Sequence, residues 1–127
     1  MPAIDPQRGD IFWAGIPPNT TSGSEQHGRR PVLVISVNVI NRGLPIVVVV
    51  PLTTKTYKAN RYFRILIPES QKIQEPGTSG CTGDSLALTE QVRVMDKSQL
   101  DDRRIARLVP AAIAAVETGL RYVQGIP

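Results

Sequence analysis

Side chains able to do chemistry are unevenly placed in this 127-residue chain. It has a single histidine, His27, and a single cysteine, Cys81. A site built from several histidines is therefore excluded, and a zinc site of the Cys/His type lacks its ligands. Cys81 has no partner for a disulfide within the chain, and its Gly/Ser/Thr-rich surroundings read as a loop thiol. Cationic side chains, by contrast, are plentiful: 15 Lys and Arg stand against 11 Asp and Glu, a net charge of +4. Arg8, Arg29, Arg30, Arg42, Lys55, Lys58, Arg61 and Arg64 crowd the first half. A guanidinium presents planar donors that grip phosphate oxygens in pairs, so this balance fits a nucleic-acid partner without requiring one. Ser24, Gln26, Glu90 and Gln91 supply mixed donors and acceptors of a length suited to the edges of unstacked bases. Tyr57, Tyr62 and Phe63 could offer stacking faces, with Phe63 reading more readily as core. Taken one at a time, the same residues have plainer roles. Arg30 reads as a surface ion-pairing arginine, Thr53 as a strand-end hydroxyl, and Glu90 and Gln91 as exposed members of an edge strand.

The elements that must position these groups follow from pattern. A composition of 41% hydrophobic and 20% charged residues is that of a globular protein with one core. One domain over residues 1–127 is expected, with its core at approximately 8–124. No run approaches the roughly eighteen apolar residues of a membrane span, and residues 46–52 have the length of a buried strand. The N-terminus lacks a basic segment followed by an apolar one, which points to a cytoplasmic protein. Arg8-Gly9-Asp10 reads as a turn into a strand over 11–15. Residues 17–28 form a polar, Gly- and Pro-containing loop. Continuous apolar strands are expected over 31–37 and 46–50, with a turn at 41–43 between them. An alternating, half-buried strand should cover 61–67. Residues 71–83 read as a flexible loop, 85–94 as a strand made irregular near Thr89, and 96–100 as a helical turn with Asp96 as N-cap. A last short strand falls near 105–108. Pro110 at a first helical position and Gly125 just past an end bracket a helix over 110–124, with Ile113, Val116, Leu120 and Val123 on one face. Five or six short strands with one C-terminal helix make a mainly β fold, a small and strongly bent antiparallel sheet.

Several blocks, in order, resemble the MazF/PemK family of toxins. They are Arg8-Gly9-Asp10-Ile11-Phe12-Trp13; Gly23-Ser24-Glu25-Gln26-His27-Gly28-Arg29-Arg30-Pro31 running into Val32-Leu33-Val34-Ile35-Ser36; Pro51-Leu52-Thr53; and Ser85-Leu86-Ala87-Leu88-Thr89-Glu90-Gln91-Val92-Arg93 with Asp96. Each alone would mean little; together, running from about Arg8 to the final helix, they are specific. The resemblance implies an SH3-like barrel of the CcdB/PemK type, a homodimer, and single-stranded RNA bound in a groove across the dimer. It also implies a cognate antitoxin of the MazE/PemI kind whose extended acidic segment competes for that groove. Cleavage would need no metal and no cofactor, and would leave a 2′,3′-cyclic phosphate and a 5′-hydroxyl. Arg30 corresponds to the family's catalytic arginine and Thr53 to its catalytic threonine. Ser24, Glu25 and Gln26 fall on the RNA-contacting loop, Glu90 and Gln91 on the lining of the base pocket, and Arg29 and Lys55 are candidate backbone contacts. The PemK branch has a histidine before the loop glutamate and an Arg-x-Asp pair in the later strand. Here those positions hold Ser24, Leu88 and Glu90, so the resemblance follows the MazF branch.

RNA brings its own nucleophile, the 2′-hydroxyl beside the scissile phosphate. The protein must align that oxygen, bear the charge developing on the phosphorane and help protons move. Arg30 fits electrostatic stabilisation and Thr53 fits substrate orientation. An arginine is awkward as a base but could protonate the leaving 5′-oxygen, with Glu25 or Glu90 accepting from the 2′-hydroxyl. A second class of function stays open on the same fold: a non-catalytic inhibitor like CcdB, which binds DNA gyrase. A third is a barrel kept as a binding module.

Overall fold

The computed structural model describes residues 1–16 and 28–127. Its centre is three strands that the sequence shows as long apolar runs: β1 (Asp10–Ile16), β2 (Gly28–Val34) and β3 (Ile46–Thr53). β1 pairs antiparallel with β2 from Ile11↔Leu33 to Ile16↔Gly28, and β2 with β3 from Val34↔Val49 to Val32↔Pro51. Alternation then sends Ile11, Leu33, Val50 and Leu52 into one core cluster, and Phe12, Ala14, Val32, Val34, Val47 and Val49 into another. Both faces of these strands are covered. That is why they read as unbroken hydrophobic runs rather than as alternating ones.

Beyond them come β4 (Arg64–Ile67), β5 (Lys72–Gln74), β6 (Ser85–Leu88), β7 (Arg93–Asp96) and β8 (Ala106–Leu108). The sheet runs β4-β6-β3-β2-β1-β8-β5, with β7 also joined to β3, and every pairing is antiparallel. β3 bends the sheet by changing partners along its length. Ile46 to Val49 pair with β7, Val49 to Pro51 with β2, and Leu52 and Thr53 with β6. The result is an antiparallel sheet nearly closed into a barrel.

Among the described residues two α-helices complete the fold. The short α1 (Asn38–Gly43) occupies the place where a simple turn was expected at 41–43. Asn41 is fully buried there, and its side-chain amide donates to the Ser36 carbonyl at 2.9 Å. The other helix, α2 (Pro110–Gln124), has the bounds the sequence marks, with Pro110 in its first turn and Gly125 closing it at φ +68. It buries Ala112, Val116, Gly119 and Leu120, with Ile113 packed against the same core. Among the described residues no helix is long and apolar enough to cross a membrane.

Some boundaries differ from the pattern reading. The strand expected over 61–67 is ordered only from Arg64, after a turn in which the Arg64 amide donates to the Arg61 carbonyl at 3.0 Å. Residues 85–94 form two strands, split by a 3₁₀ turn at Thr89–Gln91. Thr89 causes the break: its hydroxyl donates to the Phe63 carbonyl and draws the chain out of the ladder. The loop expected over 71–83 contains β5, and Cys81 lies in the loop that follows it, as a buried thiol. Asp96 does cap the following turn, accepting from the Ser98 amide at 2.9 Å, a bond that holds its carboxyl below the ordinary value.

Helix α2 meets the Thr89 turn at Gly119, which leaves no room for a side chain. A β-carbon there would lie 2.9 Å from the Phe63 carbonyl oxygen and 3.0 Å from Thr89 Cγ2. Helix propensity favours Gly119→Ala by about 1 kcal/mol, whereas overpacking costs about 1–3 kcal/mol. The obstructing groups already bond each other and yield little, so overpacking wins. Thermal denaturation should show Gly119→Ala melting a few degrees below wild type; a raised midpoint would show that the helix can slide outward freely.

Candidate nucleic-acid interface

Arg30 and Thr53, far apart in sequence, are brought together by strand register. The β2–β3 ladder ends at Val32↔Pro51; continued two residues, it would set Arg30 against Thr53. At that point β3 leaves β2 and pairs Thr53 with Leu86 of β6, while Arg30 stays on the β1–β2 arm opposite Ala14. The two residues therefore share a face and stand where β2 and β3 part. Thr53 is buried, and its Oγ1 accepts from the Lys55 amide at 3.2 Å. That bond orients the hydroxyl without spending its proton. Arg30 is half-buried and held in ordered strand on both sides. A parting of two strands with a cation on one lip and a hydroxyl on the other can hold a phosphodiester.

Glu90 and Gln91 sit on the Thr89–Gln91 turn at the end of β6, the strand that pairs with Thr53. They thus follow directly on the strand that borders Thr53. The Glu90 carboxylate is held by Arg64 at 2.6–2.8 Å through Oε2. Its other oxygen, Oε1, is buried and has no hydrogen-bond partner among the described residues. Lys55 is exposed just beyond Thr53, at the entry to a 3₁₀ turn over Thr56–Lys58. Ser24, Glu25 and Gln26 lie outside the described residues.

Arg29 is placed differently from its neighbour. Alternation along β2 turns it to the face opposite Arg30, where its guanidinium lies 5.6 Å from the centroid of Trp13. Nη1 donates to Asp101 Oδ1 at 3.0 Å and Nη2 pairs with Oδ2. Donating to Asp101 raises the arginine's pKa. Both partners are largely exposed, so this pair contributes little stability, at most about 1 kcal/mol. The Trp13 indole also donates to Ser79 Oγ at 3.4 Å, and the two groups border an open cleft of about 780 Å³.

The aromatic residues gather rather than scatter. Tyr62 and Tyr122 meet edge to face with centroids 4.5 Å apart, and Phe63 stacks on Tyr122 at 5.7 Å. Phe63 is half-buried in this trio, while Tyr57 is exposed. The sequence gives no sign of Tyr122 here, because it lies off the buried face of α2 and joins the others only when the helix docks. Arg64 is likewise invisible as a partner of Glu90, 26 residues away. Near the chain start, burial raises the Asp10 carboxyl above its ordinary value, against the lowering pull of the Gln7 amide and Arg104. Arg8-Gly9-Asp10 is structural: Gly9 has φ +96, and a β-carbon there would meet Ile113 Cδ1 at 2.8 Å.

Comparison with known proteins gives consistent results. The family described as PemK-like, MazF-like toxin of type II toxin–antitoxin systems matches residues 7–123. Endoribonuclease EndoA of Bacillus subtilis (strain 168) is 37% identical over 97 residues, 76% of each chain. The crystal structure of MazF from Deinococcus radiodurans superposes with a TM-score of 0.69 at 24% identity, covering 96% of this chain and 98% of that one. A MazE–MazF crystal structure from the same organism gives 0.65 at 25% identity, covering 98% and 99%.

Proposed function

Because the chain belongs to the family of PemK-like, MazF-like toxins of type II toxin–antitoxin systems, we propose that it is a sequence-specific endoribonuclease cutting single-stranded RNA without a metal. The relative EndoA is named an endoribonuclease. The observation that carries the reading is the register that sets Arg30 and Thr53 on one face where β2 and β3 part. In the proposed step the 2′-oxygen attacks the adjacent phosphorus and the bond to the 5′-oxygen breaks. The 2′-hydroxyl loses its proton, the leaving oxygen gains one, and the products are a 2′,3′-cyclic phosphate and a 5′-hydroxyl. Arg30 stabilises the charge that grows on the phosphoryl oxygens, and Thr53 donates its hydroxyl to one of them and fixes the phosphate.

Ser24, Glu25, Gln26, Glu90 and Gln91 contact bases, and Lys55 contacts the backbone. Arg29 can join them only by leaving Asp101. The active form is a homodimer, and the cell holds the toxin in check with a cognate antitoxin, as the MazE–MazF complex of the Deinococcus relative suggests. Cutting messenger RNA would stop translation and growth. The test is incubation of purified protein with a long single-stranded transcript in excess EDTA. Fragments ending in cyclic phosphate are expected. Intact RNA together with gyrase poisoning would instead favour a CcdB-like inhibitor, and intact RNA with intact gyrase a binding module.

A further inference from the structure

Arg64 lies outside the residues given a role in RNA cleavage, yet it sits where two parts of the interface meet. Its Nε donates to Glu90 Oε2 at 2.8 Å, and its Nη2 lies 2.6 Å from the same oxygen. Its Nη1 reaches back to the Lys58 carbonyl at 3.3 Å and to Asn60 Oδ1 at 3.5 Å. One guanidinium thus ties the turn carrying Glu90 and Gln91 to the 54–63 loop, which leaves Thr53 and carries Lys55. A planar fork with donors on three nitrogens is suited to holding a carboxylate on one side and a loop on the other. The Arg64 and Glu90 side chains are 22% and 25% exposed, so the pair is screened less than one in open water. All the described bonds fall on Oε2, while Oε1 is buried with no hydrogen-bond partner among the described residues. A buried acceptor in that state is costly until a donor reaches it. The amino or imino hydrogen of a base is such a donor.

We propose, on the ribonuclease reading above, that Arg64 is a positioning residue for base selection. It anchors the Glu90 carboxylate by one oxygen and leaves the other, buried and without a hydrogen-bond partner among the described residues, to accept from the amino or imino edge of an unstacked base once the substrate displaces what covers it. It also fixes the distance between that base and the phosphate held at Thr53, because the same guanidinium holds the loop that begins there. Arg64 itself touches neither base nor phosphate.

The test compares cut-site preference in wild type, Arg64→Met and Arg64→Lys, read by mapping ends across a long transcript. It also measures kcat and KM on the preferred oligonucleotide and on single-base variants of it. Methionine keeps the apolar stem without the donors. Its discrimination at one base position should fall by about tenfold, with kcat on the preferred site within a few-fold of wild type. Lysine retains one anchoring charge and should recover part of the discrimination. A folded Arg64→Met with an unchanged preference profile and a uniformly lower kcat would make Arg64 merely structural and overturn the proposal. Should that variant fail to fold, Arg64→Gln, whose amide can still bond the loop, gives the same readout; unchanged preference in it is equally fatal. Wild-type protein that cuts no RNA at all would sink the ribonuclease reading, and this inference with it.

Discussion

Arg30→Ala should lower the rate of RNA cleavage by about a hundredfold or more, and Thr53→Ala by a comparable factor, with both proteins folded. The size follows from where charge develops. In the proposed step, as the 2′-oxygen closes on phosphorus, the phosphoryl oxygens gain charge that the ground state lacks. A guanidinium carried on ordered strand where β2 and β3 part would meet that charge with little reorganisation, which is what makes such donors effective. Thr53 is fixed in a different way. It is 3% exposed, paired with Leu86 across β6, and its Oγ1 is oriented by the Lys55 amide. Alanine there removes the hydroxyl and leaves the strand pairing intact.

On the proposed mechanism both groups act on one phosphodiester, so the double variant should lose little more than the worse single one. A substrate with deoxyribose immediately upstream of the cut should resist the wild-type protein altogether, since it lacks the attacking oxygen. Circular dichroism and melting curves check the fold, and single-turnover cleavage of a labelled oligonucleotide checks the chemistry. Wild-type rates in both single variants would end the assignment of these two residues. Ready hydrolysis of the deoxy substrate would end the 2′-hydroxyl mechanism.

Lys72→Met should remove about 3 kcal/mol or more of folding stability, the largest stability effect expected of a polar side chain here. Lys72 is 5% exposed, on β5. Its Nζ donates at 2.7 Å to the Gly83 carbonyl, at 2.7 Å to Ser85 Oγ and at 3.0 Å to the Cys81 carbonyl, with Cys81 Sγ at 3.5 Å. Three N–H donors thus meet three oxygens, so a buried cationic group is satisfied without a carboxylate among these partners. Methionine matches the stem in length but offers no donor. Each oxygen stranded away from water costs about 1–3 kcal/mol.

The loss should be local as well as global. Lys72 fastens the 75–84 segment, which Gln74 also grips at both the amide and the carbonyl of Cys81, at 2.7 and 3.0 Å. Hydrogen exchange should therefore rise first at Cys81 and Ser85. Urea denaturation measures the total, and an unfolding free energy within a few tenths of a kcal/mol of wild type would show that water replaces the ammonium at no cost.

The contrast between the Arg30–Thr53 pair and Lys72 shows what the sequence carries. Arg30 and Thr53 could be proposed from ordered blocks resembling a known family, because they lie beside apolar strands whose pattern is strong; that they share a face is a matter of strand register. Lys72 could not. A lysine in a polar stretch predicts exposure, and only the folding of 75–84 back over β5 supplies its three acceptors. The same holds for Arg64 and Glu90, joined by the pairing of β4 with β6, and for Arg29, whose partner Asp101 lies 72 residues away.

By itself the sequence determined the helix bounds at Pro110 and Gly125, the central buried strands, the Asp96 cap and the mainly β character. Each of these follows from local backbone preference or from periodicity, which need no knowledge of distant residues. Only the tertiary structure decided which strands are neighbours, that β3 hands its last two residues to β6, and that Thr89 breaks a strand by bonding Phe63. It also decided which polar groups are buried. Those outcomes depend on contacts between segments far apart in the chain, where a hydrogen-bond partner is chosen by the packing of everything between, and no local pattern encodes that choice.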